Sequence, residues 1–313
     1  MTATTTPPRE AAPQQRVKQR PGDRVFKGLA TGAGLTILVI LAGVAAFLVY
    51  QAAPALTASS QDIAGGRGFW PLAGELVFGT LLASALALLI GAPLGVGIAL
   101  FITHYAPRKL AAPLAYLIDL LAAIPSIVYG LWGVFVFAPA LVPVYAWLGT
   151  NLGWFPLFAG PVSSGRTMLT AGLVLAVMIL PVITALSREV FRQTPTLQQE
   201  AALALGATRW EMVKYAVIPY GKSGVVAASM LGLGRALGET MAVAAVLSVA
   251  GGVTFNLIST QNPGTIAANI ALNFPESSGL AVNTLVATGL VLFVITFLVN
   301  FAARAVVART SKG

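Results

Sequence analysis

Residues 28–53 form an uncharged apolar run, and runs of similar character follow at 73–103, 111–138, 166–186, 222–250 and 280–303. Crossing the hydrocarbon of a bilayer as a helix takes about 20 mostly apolar residues. A helix that is apolar on every side cannot keep a face in water. The chain is therefore expected to be an all-α, polytopic membrane protein with six transmembrane helices. Composition agrees, because 57% of the residues are hydrophobic and 9% charged, whereas soluble domains carry about 25% charged residues. The first run exceeds the apolar core of a cleaved signal, about 7–15 residues, and reads as a retained span. There is no cysteine, which excludes disulfides and thiolate metal sites. His104 has no second His or Cys to complete a metal site and reads as an interfacial residue.

The net charge of +9 reports topology rather than a nucleic-acid partner. Six of the basic residues lie in the tail 1–27 (Arg9, Arg16, Lys18, Arg20, Arg24 and Lys27), two in 104–110, five in 187–222 and three near the C-terminus. Only Arg67 and Arg166 fall on the opposite side, with Arg235 inside the membrane. The positive-inside rule then puts both termini in the cytoplasm. The expected layout is a solvated tail 1–27, a membrane domain 28–304 with a cytoplasmic loop 187–221, and a tail 305–313. Residues 139–165 are rich in Pro, Gly and aromatics and are expected to be external and interfacial or re-entrant. Residues 251–279 read as a polar external loop.

Within the cytoplasmic loop, residues 200–219 are unusually polar. Glu200–Leu205 has good helix propensity, and Gly206 suits a left-handed helix stop. Thr208 is an expected N-cap, with Glu211 three residues on as its reciprocal partner. The second helix is expected to end before Pro219. The result is a helix–break–helix elbow.

Glu200, Ala201, Ala202, Gly206 and Pro219 resemble the EAA loop of ABC-importer permeases at the family's spacing. Ala216 and Ile218 stand where Ile and Leu are usual. The resemblance implies the MetI-like permease fold. It also implies that the elbow docks into a separate ATPase subunit through Glu200, Ala201, Ala202, Gly206, Arg209 and Glu211. ATP and Mg would bind that subunit, and this chain would hold no cofactor.

Arg235 and Glu239 stand four residues apart in the fifth run, flanked by Gly232, Gly234 and Gly238. On a continuous helix they would share one face. Intramembrane charges face protein or water rather than lipid. One reading is an ion pair that locks helix packing. The other is a polar point on a translocation path, with Arg235 attracting an oxyanion and Glu239 weakening its hold. Asp119 in the third run is a further possible pathway residue, or it hydrogen-bonds a neighbouring helix; the structural role is favoured, because a bare carboxylate would repel an anion. Ser126 and Tyr129, beside Pro125, either line the path or satisfy backbone groups that the proline frees.

The stretch Gly232–Ala242, GLGRALGETMA, is similar to phosphate-importer permeases, as are Ala123–Gly130, Gly160-Pro161 and Met178–Pro181. The segment Gly22–Phe26 resembles the PstC-type subunit. That resemblance implies a permease subunit in the bacterial inner membrane that passes phosphate by alternating access at Arg235 and Glu239, and is not itself an enzyme. It implies a PstA-type second permease, a PstB-type ATPase dimer and a PstS-type external binding protein. Sulfate or molybdate transport is the alternative within this architecture, and an ion-coupled secondary transporter the alternative outside it.

Overall fold

The computed structural model describes residues 21–63, 66–159 and 164–310. Arg9, Arg16, Lys18, Arg20, the Gly160-Pro161 pair and the last three residues lie outside the described residues. The chain divides into two units, 1–50 and 51–313. The first unit contains the start of helix α1 (Pro21–Thr57), which is apolar on every side over most of its length. The helices of the second unit are α2 (Phe69–Leu100), α3 (Arg108–Ala122), α4 (Ser126–Trp132), α5 (Ala138–Asn151), α6 (Met168–Arg192), α7 (Thr196–Ala204), α8 (Arg209–Met212), α9 (Ile218–Leu237), α10 (Met241–Val246), α11 (Ile266–Asn273) and α12 (Leu280–Thr310). Among the described residues there is no β-strand, only a single parallel bridge between Val249 and Asn262.

Six helical segments are long and apolar enough to cross a membrane: Pro21–Thr57, Phe69–Tyr105, Ser126–Asn151, Met168–Arg192, Arg209–Leu237 and Leu280–Ala305. Two differ markedly from the apolar runs. The third run, 111–138, is cut in two. Pro125 is extended at φ −58, ψ 140, and a proline disfavours helix in the residue before it. Residues 108–122 thus form a separate helix bearing Asp119, and the membrane-length helix runs 126–151. Residues 139–151, expected to be interfacial, are its second half. The fifth helix lies earlier than its run, at 209–237 rather than 222–250.

Proline placement explains both shifts. Three five-residue wide turns occur, at Phe101–Tyr105, Gly133–Phe137 and Val213–Val217. Each is closed by an i→i+5 bond, Ala106 N to Phe101 O, Ala138 N to Gly133 O and Ile218 N to Val213 O. Each ends two residues before a proline: Pro107, Pro139 and Pro219. A proline ring clashes with the carbonyl four residues back in a regular helix, and a widened turn moves that carbonyl aside. Pro139 and Pro219 therefore sit inside continuous helices. The elbow's second helix does not stop at Pro219 but runs on to Leu237.

The core is a ridge of α6 set into glycine grooves on two neighbours. Ile179 and Ile183 are fully buried. A Cβ on Gly91 would lie 3.0 Å from Ile179, on Gly95 3.1 Å from Ile183, and on Gly232 2.7 Å from Ile183. Small residues let helices close in a medium where lipid competes for apolar contact.

Residues 238–265, expected to continue a span and form an external loop, instead return into the protein. Asn262 is fully buried. Its side-chain oxygen accepts from Met168 N at 3.2 Å. Its amide donates to Ser259 O at 2.9 Å, Ser248 O at 3.0 Å and Arg166 O at 3.4 Å. Ile266 N, opening α11, donates to Thr80 Oγ1 of α2 at 3.0 Å. Non-helical backbone persists at membrane depth only when satisfied in this way. Asn262→Leu keeps the volume but strands these groups, each worth about 1–3 kcal/mol when unsatisfied. Thermal unfolding in detergent should show a loss of at least about 3 kcal/mol, and a near-neutral result would contradict the assignment.

Candidate translocation site and coupling elbow

Helix α9 ends at Leu237, with Gly238 as C-cap. Arg235 is in its last turn and Glu239 lies beyond it, so the two do not share a helix face as the spacing predicts. Glu239 is 8% exposed, and its Oε1 accepts from Ala242 N at 3.0 Å, capping α10. No ion pair joins Arg235 to Glu239 among the described residues; the carboxylates of Glu75 and Asp119 pair with Arg67 and Arg188. Helix α10 packs on α4, where a Cβ on Gly130 would meet Ala242 Cα at 2.9 Å. Tyr129 is buried, donates its hydroxyl to Leu121 O at 2.8 Å and lies within electrostatic reach of Arg235. Of the two roles open to Tyr129, its hydroxyl takes the structural one, satisfying backbone exposed by the Pro125 break. Ser126 opens α4 beside it and makes no recorded side-chain hydrogen bond.

Arg235 lines a cavity of about 830 Å³. Its wall on α9 is the stripe Ser223, Ala227, Met230 and Gly234, which recurs at helical spacing. Asn300 and Arg304 of α12 form another wall. A helix rises 1.5 Å per residue, so Ser223 and Arg235 are about 18 Å apart along the axis. The cavity is therefore an elongated trough with Arg235 towards one end. Neither Arg235 nor Arg304 has an ion-pair partner among the described residues. The sequence reading missed Arg304, which it placed at the edge of the C-terminal tail. The only signal was its helical register with Asn300, four residues earlier.

Asp119 is not in a membrane-length helix. It pairs with Arg188 of α6, with Nη2 3.4 Å from both carboxylate oxygens. The sequence reading also missed Glu75, which is 8% exposed and 3.7 Å from Arg67 near the start of α2.

The elbow forms as its residues dictate. Helix α7 is closed by Ala207 N donating to Ala202 O at 3.2 Å and Gly206 N to Leu203 O at 3.0 Å, the paired bonds of a Schellman stop. Gly206 has φ +86. Thr208 and Glu211 form a reciprocal capping box, with Thr208 N to Glu211 Oε2 at 2.8 Å and Glu211 N to Thr208 Oγ1 at 3.3 Å. Glu200, Ala201 and Ala202 lie on α7, and Arg209 opens α8. Leu197, Leu205 and Trp210 project from this elbow into the surroundings, at 76%, 89% and 57% exposure. A Cβ on Gly206 would meet nothing within 4 Å, so replacement there costs only backbone strain. Gly206→Val should lose about 1–2 kcal/mol, seen as faster amide exchange across 200–212. Gly206→Asn, which tolerates positive φ, should change little. Equal effects would show that side-chain bulk, not φ, governs the position.

Residues 91–312 match the family model for the binding-protein-dependent transport system inner membrane component. The chain is 49% identical to the phosphate transport system permease protein PstC 2 of Mycobacterium tuberculosis, with 100% of both chains covered. It is 46% identical to PstC of Mycobacterium leprae, covering 91% of this chain and 92% of that one. It is 40% identical to PstC of Mesorhizobium japonicum, covering 92% and 90%. Among solved structures, a bacterial alginate ABC transporter in complex with an alginate pentasaccharide-bound periplasmic protein aligns at TM-score 0.58 and 17% identity, covering 94% and 99%. The inward-facing MetNI methionine ABC transporter aligns at TM-score 0.51 and 19% identity, covering 77% and 96%. The structural likeness is one of fold, the MetI-like permease arrangement. The chain therefore belongs to the family of binding-protein-dependent transport system inner membrane components, as a multi-pass, non-enzymatic transport subunit of its PstC group.

Proposed function

We propose that this chain is one membrane half of an ATP-driven phosphate importer, and that Arg235 is the point where phosphate meets it inside the membrane. The observation that carries this reading is the trough lined by Arg235 and Arg304, two guanidinium groups with no ion-pair partner among the described residues. A planar donor fork suits two oxygens of a tetrahedral oxyanion. A cleft with one sign of charge draws in the opposite sign. Glu239 is engaged in capping α10, so it lowers the local potential without closing the Arg235 fork. The anion can then be held briefly and released, as transport requires.

The elbow and both termini belong in the cytoplasm on this reading, supported by the basic residues around the elbow and by Arg67 and Arg166 at the opposite helix ends. The membrane is the bacterial inner membrane. The family implies ATPase and binding-protein partners. In the finer assignment these are a PstB-type ATPase dimer, which binds ATP and Mg, and a PstS-type binding protein, with a PstA-type permease closing the other side of the pathway. Glu200, Ala201, Ala202, Gly206, Arg209 and Glu211 set the elbow's shape, and exposed Leu197, Leu205 and Trp210 give it an apolar surface to seat in the ATPase. Arg209–Leu237 is one continuous helical segment. It rises about 39 Å from Arg209 to Arg235, so movement of the elbow on ATP binding reaches the trough as rigid-body motion.

Uptake of labelled phosphate and sulfate, measured at low external concentration in cells lacking the gene, tests the proposal. Wild type should restore phosphate uptake alone. Arg235→Gln should reduce it about tenfold to a hundredfold, the value of a hydrogen bond to a charged group, with normal amounts of the chain in the membrane. Restored sulfate uptake instead would keep the architecture and overturn the substrate.

A further inference from the structure

A second cavity, of about 530 Å³, lies between the wide turn 101–105, helix α3 and the last turns of α6. It shares no lining residue with the Arg235 trough. Ile102, Ala112 and Ala115 form an apolar wall, and Arg188, Arg192 and Asp119 form the charged side. Arg188 is 16% exposed. Its Nη2 reaches Asp119, but at 3.4 Å to each oxygen, longer than the roughly 2.7–2.9 Å of a tight charge-assisted bond. Its Nε and Nη1 are buried with no hydrogen-bond partner.

Buried guanidinium donors ordinarily have partners. The carboxylate available to them is half in solvent, at 52% exposure, and engages only one nitrogen. Arg192, four residues on, projects from the same face of α6 at the cavity rim. Two like charges at that spacing repel. The cavity is thus lined by two cations balanced by only one carboxylate, and the more buried cation holds donors without a partner.

We propose that this cavity binds a phosphate-type oxyanion between the guanidinium groups of Arg188 and Arg192, both of which line it. An oxyanion there relieves the repulsion between the two guanidinium groups. Inorganic phosphate and the phosphodiester of an anionic phospholipid headgroup present this same chemistry, and the apolar wall accommodates either a bare ion or the start of an acyl chain. Asp119 opposes the anion and limits its affinity. Helix α6 ends at Arg192, and three residues separate it from the start of α7 at Thr196. A bound anion therefore ties α3 to the turn that leads into the elbow. The site rests on this cavity alone and does not depend on the substrate of the Arg235 trough.

The test uses the assembled transporter carrying Arg235→Gln and Arg304→Gln, so that neither cation of the trough contributes. Binding of labelled inorganic phosphate is measured in nanodiscs of phosphatidylcholine, and retention of phosphatidylglycerol is measured by native mass spectrometry. Phosphate binding in phosphatidylcholine identifies a free-phosphate site, and selective phosphatidylglycerol retention identifies a headgroup site. Either supports the proposal if Arg188→Gln and Arg192→Gln each weaken it about tenfold or more. Arg192 is exposed, so its variant keeps the fold, checked by an unchanged melting temperature. Asp119→Asn should tighten binding several-fold, an effect that a purely structural ion pair does not produce. Absence of binding by both probes overturns the proposal, as does binding insensitive to Arg192→Gln or weakened by Asp119→Asn.

Discussion

A backbone amide or carbonyl without a partner in hydrocarbon costs several kilocalories per mole. Residues 238–265 are where this chain meets that constraint most directly. Helix α9 stops at Leu237, and the chain returns through α10 and an extended segment to α11. Each turn of that path is answered by a specific donor or acceptor. Glu239 caps α10, Asn262 bonds Arg166, Met168, Ser248 and Ser259, and Thr80 caps α11. This satisfaction permits a helix to end inside the protein, and the ending puts Arg235 at one end of a trough rather than against Glu239.

The second governing feature is close approach. The Ile179–Ile183 ridge of α6 fits between α2 and α9 because Gly91, Gly95 and Gly232 offer no Cβ. Helix α6 thereby holds the helix that carries Arg235, and its far end carries Arg188 and Arg192 beside the elbow. One buried helix thus borders both cation-bearing cavities. The wide turn at 213–217 complements this by letting the elbow helix pass Pro219 unbroken. The elbow and the trough are consequently joined by one continuous helical segment.

Much of this was legible in the residues. The Gly206 stop and the Thr208–Glu211 capping box depend on local spacing alone, and both form. The six membrane-length helices follow from apolar length. The two prolines fared differently. Pro125 breaks its helix, in keeping with the backbone groups it was expected to free, although the run 111–138 was read as one span; Pro219, at an expected helix end, does not. The deciding factor is whether the preceding turn widens, which tertiary packing sets and residue type does not announce. Glu239 was misplaced for a related reason, since spacing of four implies a shared face only if Gly238 stays helical. Arg304 and Arg188 gained their roles from neighbours remote in sequence, which a linear reading does not reach.

On the proposed function, the trough between α9 and α12 is an aqueous path for the anion. The chain has no cysteine, so a single introduced cysteine is the only thiol on it and is read after this chain is separated from its partners. Reaction of a membrane-impermeant anionic thiol reagent with Ser223→Cys, Ala227→Cys and Gly234→Cys would be followed in inside-out vesicles bearing the assembled transporter. Ala236→Cys, at a position 5% exposed, serves as the buried control. Reaction is expected at the three trough positions, slowing with added phosphate and not with sulfate, and none at 236. Equal inertness at all four positions, or reaction indifferent to phosphate, would contradict it.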